Sequence, residues 1–191
     1  MQVVFLFISA WLITCALGQA PEVSSKKRPS EPQRVTSDKY RFSVALPRGW
    51  FVLKTGDLPV FISYPPEEAL PQWQLPPGGA MIEMCLCPVG GAHPTGPTPY
   101  SCTEHQFAVE HAAVIDMQEV PGPPALGLVR AVLTSGEQVQ LGTPSVKLHI
   151  ITAFWRYGDQ IFGAELSYTK RNLWNQYKRT LLDVIQNFQP K

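Results

Sequence analysis

At 191 residues the chain is long enough for one domain with a substantial core and too short for two ordinary ones. A formal net charge of +1, with only 16% charged residues, leaves no single-sign field of the kind that binds nucleic acid or anionic lipid. Nineteen prolines, about twice the usual share, predict long irregular connections.

Residues 3–17, "VVFLFISAWLITCAL", are an uncharged apolar run followed by "GQA" and Pro21. Small residues at Gly18 and Ala20 suit cleavage after Ala20, so residues 1–20 read as a signal peptide and the protein as exported, periplasmic or secreted. The run falls short of the roughly twenty residues that cross a bilayer as a helix, so no transmembrane span is expected after processing. No Lys or Arg precedes it, which leaves the N-terminal amine as its positive end. The alternative is a lipoprotein anchored at Cys15 of "LITC", with Thr14 standing where Gly, Ala or Ser is commoner. Residues 21–39 hold Pro, Ser and charges with almost nothing to bury, and predict a disordered tether ahead of a single domain at 40–191.

Tyr40, Phe42, Val44 and Leu46 alternate with smaller or polar residues, the period of a half-buried strand. Pro47, Arg48 and Gly49 turn the chain into a second strand at 50–53, and "VFISY" (60–64) makes a third. A proline-punctuated loop holding Trp73 leads to a fourth strand, "AMIEMCLCPV" (80–89), and then to a second Gly/Pro loop. Ser101, with Glu104 three residues on, has the form of a capping box. It predicts a helix carrying Phe107, Val114, Ile115 and Gln118 and ended by "PGPP" at 121–124. A strand at 126–134 precedes a turn-rich connection through 135–144. Residues 145–157 and 160–168 are two long strands joined by Gly158 and Asp159, a strong hairpin signal. The first is apolar on both faces from Ile150 to Trp155, so it should be central and covered on both sides. Trp174, Tyr177, Leu181, Val184, Ile185 and Phe188 recur at steps of three and four, an amphipathic terminal helix. The order predicts an α+β layered sandwich, a mostly antiparallel sheet flanked by helices.

"YRFSVALPRGW", the hairpin "SVKLHIITAFWRYGDQIFGAELSY" and the terminal "LLDVIQNF" together resemble the PsbP-like family over residues 40–190. In that family a Phe-rich strand leads to a Pro-x-Gly-Trp turn, and the last helix ends in an Ile-Leu-x-Ser-Phe type motif; here Asn187 replaces the commoner Ser. The resemblance implies an α/β/α sandwich. It implies a binding or accessory module more often than an enzyme, since members include an extrinsic photosystem II subunit, a Ran-binding import factor and exported bacterial proteins. No metal, chloride or GTPase contact of those members has a counterpart here, so no functional residue carries over.

No catalytic signature stands out: there is no G-x-S-x-G, no phosphate-cradling Gly loop and no i, i+4 pair of His on a helix. His149, in an apolar strand, reads as a satisfied sheet histidine. The thiols carry the chemistry that remains. Cys85 and Cys87 share a strand face with Glu83 but lie about 6.5–7 Å apart, too far for a bond to each other without bending the strand. Export favours one disulfide, with Cys102 as the partner of either Cys85 or Cys87. A loop of about fifteen residues so closed would add on the order of 3 kcal/mol. The alternative is a zinc or copper site from Cys85, Cys87, Cys102 and His105, or His93 in place of His105, with Glu83 behind the ligands. A third possibility is a redox thiol at Cys102, lowered in pKa as the first residue of a helix capped by Ser101. Trp73, in a polar loop, is a candidate partner-binding residue; the bland alternative is a lid over the sheet edge. The expectation is therefore an exported, non-enzymatic module without a cofactor. It would bind an envelope or extracellular protein or ligand through loops 65–79 and 88–100.

Overall fold

A computed structural model describes residues 33–54, 57–68, 74–87, 97–140 and 146–191. The expected signal peptide with Cys15, the expected tether up to residue 32, Trp73 and His93 lie outside the described residues.

In chain order the strands are β1 (Arg34–Ser37), β2 (Phe42–Ala45), β3 (Phe51–Lys54), β4 (Val60–Ile62) and β5 (Ala80–Leu86). Helix α1 (Pro99–Val109) follows, then β6 (Ala113–Pro121), β7 (Arg130–Gln140), β8 (Val146–Tyr157) and β9 (Gln160–Tyr168). Helix α2 (Trp174–Gln186) and β10 (Gln189–Pro190) close the chain. Seven strands form the main sheet in the order β3-β4-β5-β9-β8-β7-β6, and β1-β2-β10 form a small second sheet. The strand pairs are antiparallel. The architecture is α+β, with α1 and α2 on opposite faces of the main sheet.

The Pro-x-Gly-Trp stretch is a tight turn. Trp50 N–H donates to the Pro47 carbonyl at 3.0 Å, and Gly49 takes φ +81°, which only glycine adopts without strain. The turn delivers Trp50 edge-on to Tyr177 of α2. Helix α2 buries Tyr177, Leu181, Val184 and Ile185, the stripe its periodicity announced. Phe188, one turn past it, stacks on Phe42 and meets Trp155 and Phe162. The β8–β9 hairpin closes with the pair Tyr157 and Gln160 around Gly158 and Asp159. Residues 149–155 of β8 are all buried, as apolarity on both faces requires of an interior strand.

Two expectations need correction. Residues 34–37, placed in the tether, form β1, which pairs with β2 and buries Val35 and Ser37. A four-residue strand has too short a period to recognise, and its partner lies across a turn.

The helix expected from Ser101 to residue 120 starts earlier and ends after eleven residues. Thr98, not Ser101, is the cap. Its Oγ1 accepts from Ser101 N–H at 3.1 Å, Ser101 Oγ accepts from Thr98 N–H at 2.9 Å, and Pro99 occupies the first helical position. Glu104 is exposed and takes no part. The helix stops where His111 turns left-handed at φ +53°. Val114, Ile115 and Gln118 then lie in β6, at the sheet edge beside β7. β-Branched residues at 114, 115 and 120 favour a strand, and pairing with β7 overrides the helical spacing. Strand β7 accordingly runs to Gln140, through the stretch expected to be turns.

Candidate functional site beneath the first helix

Cys87 is bonded to Cys102, with Cα atoms 5.3 Å apart. The bond ties the first turn of α1 to the end of β5, where Cys102 packs with Phe154 and Ile161. Cys85 is a free thiol on the same face. It pairs across the ladder with Gly163, where an added Cβ would meet Cys85 Sγ at 2.7 Å and the Phe154 ring. Glycine is required there because sulfur and ring occupy the space a side chain would fill.

This arrangement does not bring the four-ligand metal set together. Two of its thiols are spent in the disulfide, and His105 is exposed on the outer side of α1. Among the described residues, no group of three or more His, Cys, Asp or Glu side chains is placed to hold a metal ion. The redox reading loses its basis too. Cys102 is the fourth helical residue rather than the first, and it is bonded. Burial, then repulsion by Glu165, Glu83 and Glu110, pushes the Cys85 thiol well up, away from the thiolate that exchange chemistry needs. His149 lies beside Glu137 at 3.3 Å and against the Tyr168 ring, as a sheet histidine should.

The chemistry concentrates one row further along the same face. Cross-strand register aligns Thr134 of β7 with Thr152 of β8, Thr152 with Glu165 of β9, and Glu165 with Glu83 of β5. Directly opposed residues share a sheet face, so a polar row crosses the middle of an otherwise apolar surface. Helix α1 lies over it. Phe107 packs where Gly136 leaves room, which brings Gln106 and Glu110 onto the row. The Gln106 amide donates to Glu110 Oε1 and, at 3.2 Å, to Glu165 Oε2. Ser167 Oγ donates to Glu165 Oε1 at 3.3 Å, and the Gln138 amide holds the Glu110 carbonyl at 2.8 Å.

Burial pushes Glu165 well above the ordinary carboxylate range, helped by the neighbouring charges of Glu110 and Glu83. Glu110 and Glu83 are raised as well, again mainly by burial, with hydrogen bonding to Glu165 and then Gln106 opposing at Glu110, and Lys54 opposing at Glu83. Glu110 Oε2, Thr134 Oγ1 and Thr152 Oγ1 are buried with no hydrogen-bond partner among the described residues. Perturbed carboxyl groups and orphaned hydroxyls in one place mark a candidate functional site. The sequence had offered Glu83 only as a residue behind metal ligands. Glu165 carried a signal in hindsight, a carboxylate inside the apolar strand "IFGAELSY". Gln106 and Glu110 carried none, because nothing local says which side of α1 faces the sheet.

No family model matches the chain, and no curated protein matches it either. Similarity appears among solved structures. The solution structure of cyanobacterial PsbP (CyanoP) from Synechocystis sp. PCC 6803 aligns over 92% of this chain and 99% of its own, with TM-score 0.52 and 14% identity. The fold is PsbP-like. A protein of unknown function, PA94 from Pseudomonas aeruginosa, aligns over 84% of this chain and 97% of its own, with TM-score 0.47 and 13% identity. At 14% identity the likeness to CyanoP concerns fold alone, in agreement with the resemblance read from the Pro-x-Gly-Trp turn, the long hairpin and the terminal helix.

Proposed function

We propose that this PsbP-like chain is an exported, non-enzymatic binding or accessory module whose partner is an envelope or extracellular protein. The observation that carries the reading is strand β6. It is the outer strand of the main sheet, nine residues long, with one edge of backbone N–H and C=O groups unpaired by any described strand. Around its start Val109, Val114, Ile115 and Val139 are 61%, 48%, 62% and 59% exposed. Long exposed edges invite strand pairing, and exposed apolar side chains beside this one give a paired strand something to cover. The bulge at Ile115 and the carboxylates of Asp116 and Glu119 limit indiscriminate pairing, which favours a specific partner. Trp73 belongs to the same proposal as a second anchor.

The Cys87–Cys102 bond supports export, since such bonds persist in oxidising compartments. Among the described residues no helix is long and apolar enough to cross a membrane. The test is recovery of the chain from its native host after in vivo crosslinking, with intact-mass measurement. A mass beginning at Pro21, and a crosslinked protein lost in Ile115→Asp or Trp73→Ala, are the expected results. A chain retaining residues 1–20, or crosslinks indifferent to both substitutions, would overturn the proposal.

A further inference from the structure

The donors and acceptors where α1 meets β9 do not balance. Gln106 spends its amide on Glu110 Oε1 and Glu165 Oε2, and Ser167 Oγ serves Glu165 Oε1. Glu110 Oε2 is buried and lacks a donor among the described residues. The neighbouring group that can supply one is the Glu165 carboxyl, joined to Glu110 through the shared Gln106 amide, when it carries its proton. A single proton held between the two carboxyl groups satisfies Glu110 Oε2.

We propose that the last turn of α1 is latched to the sheet by one proton shared between Glu110 and Glu165, and that loss of this proton releases the segment from Gln106 to Ala112. The rest of α1 cannot follow, because Cys102 is covalently pinned to Cys87 about one turn earlier. The far end is held by Phe107 against Gly136, by Gln138 on the Glu110 carbonyl and by the carboxyl pair. It leads into His111, a non-glycine residue at φ +53° that stores strain.

The groups facing the pair offer no compensation once the proton leaves. From β5 come Glu83 and Cys85, both of which acquire negative charge on deprotonation. From β8 and β7 come Thr152, Thr134 and Gln138, which are uncharged. Lys54 acts on Glu83, not on the pair itself. Two carboxylates with a third opposite repel, and the element joined to the sheet through Glu110 is the one that gives.

The test is hydrogen exchange on the full oxidised chain between pH 5 and 9, corrected for intrinsic exchange. It follows the Glu110, His111 and Ala112 amides, which bond to Gln106, Ala108 and Phe107 carbonyls. Their protection should fall by up to about tenfold per pH unit above the titration of the pair, the slope of one linked proton. Amides of β8 and β9 should keep theirs. In Glu165→Gln the amide N–H replaces the proton permanently, and protection of the three amides should become flat with pH. Should that variant fold poorly, Glu110→Gln makes the same substitution from the helix side. A flat wild-type profile, or an undiminished slope in the glutamine variant, would overturn the latch.

Discussion

On the α2 side of the main sheet, Leu133, Ile151, Trp155, Phe162, Leu166 and Ile82 meet Phe42, Leu181, Val184, Ile185 and Phe188 in one continuous apolar cluster. On the α1 side, the same strands present two smaller clusters separated by the row Thr134, Thr152, Glu165 and Glu83. Of the four buried unpartnered side-chain atoms among the described residues, three are on the α1 side: Glu110 Oε2, Thr134 Oγ1 and Thr152 Oγ1. The fourth, Trp155 Nε1, is an isolated indole nitrogen on the other face. One face is organised for stability, and the other carries polar groups that a purely structural core would replace. Natural sequences concentrate such departures at sites of function.

Substitutions on the two faces should therefore differ in size and even in sign. The largest effect is expected on the α2 side. Phe42→Ala removes a fully buried ring that contacts Phe162 and Phe188, and should cost about 3–5 kcal/mol in denaturant unfolding. Next comes the disulfide. Cys87→Ser with Cys102→Ser should lose about 3 kcal/mol by the same measurement, since it closes a separation of 15 residues. A loss well beyond this chain-entropy value would mean that α1 has no docking of its own. Gly163→Ala drives a methyl into Cys85 Sγ and Phe154, and should destabilise by about 1–3 kcal/mol. An unchanged midpoint would show that the α1 side repacks freely.

The smallest effect reverses the sign. Thr152→Val keeps the shape and deletes a buried hydroxyl without a partner, so it should be neutral or stabilise by about 1 kcal/mol. A clear loss of stability would show that the hydroxyl has a partner. The pH dependence follows from the raised carboxyls. The folded state holds the Glu165 proton more tightly than the unfolded chain does, so its contribution is complete below the ordinary carboxylate range. It is lost as pH rises through the elevated folded value. Stability should decline on the alkaline side in the wild type, and the decline should be shallower in Glu165→Gln. Burial lowers His149, which adds an opposite loss as pH falls through the ordinary imidazole range. Urea midpoints from pH 4 to 9 separate the two arms.

Legibility in the sequence tracked the reach of the interactions. The β8–β9 hairpin, α2 and the Pro-x-Gly-Trp turn rest on spacings of one to four residues, and they stand where those spacings put them. β1 was hidden because it depends on β2, beyond a turn, for its pairing. The stretch 110–120 deceived because Phe107, Val114 and Ile115 fit a helical period while β7, remote in sequence, supplied the ladder that turned them into an edge strand. Helix α1 was hard to bound because its apolar residues are scattered: Phe107 is buried while Tyr100 and Val109 are exposed. A Cys102 disulfide was legible from thiol count and strand geometry. The choice of Cys87 over Cys85 was not.

What the sequence alone determined is the layered α+β plan, the central position of β8 and the apolar stripe of α2, because periodicity and turn chemistry are local properties. It also determined that a Cys85–Cys87 bond would not form, since side chains two apart in a strand are held too far apart. Only the tertiary structure decided which thiol Cys102 takes, that β6 is an open edge, and that Glu83, Glu110 and Glu165 meet beneath α1. These carboxyls come from two strands and a helix up to 82 residues apart in the numbering, from 83 to 165, so only sheet register and helix docking bring them together. The low dielectric created by that docking gives them their altered acidity, and no local pattern of residues encodes it.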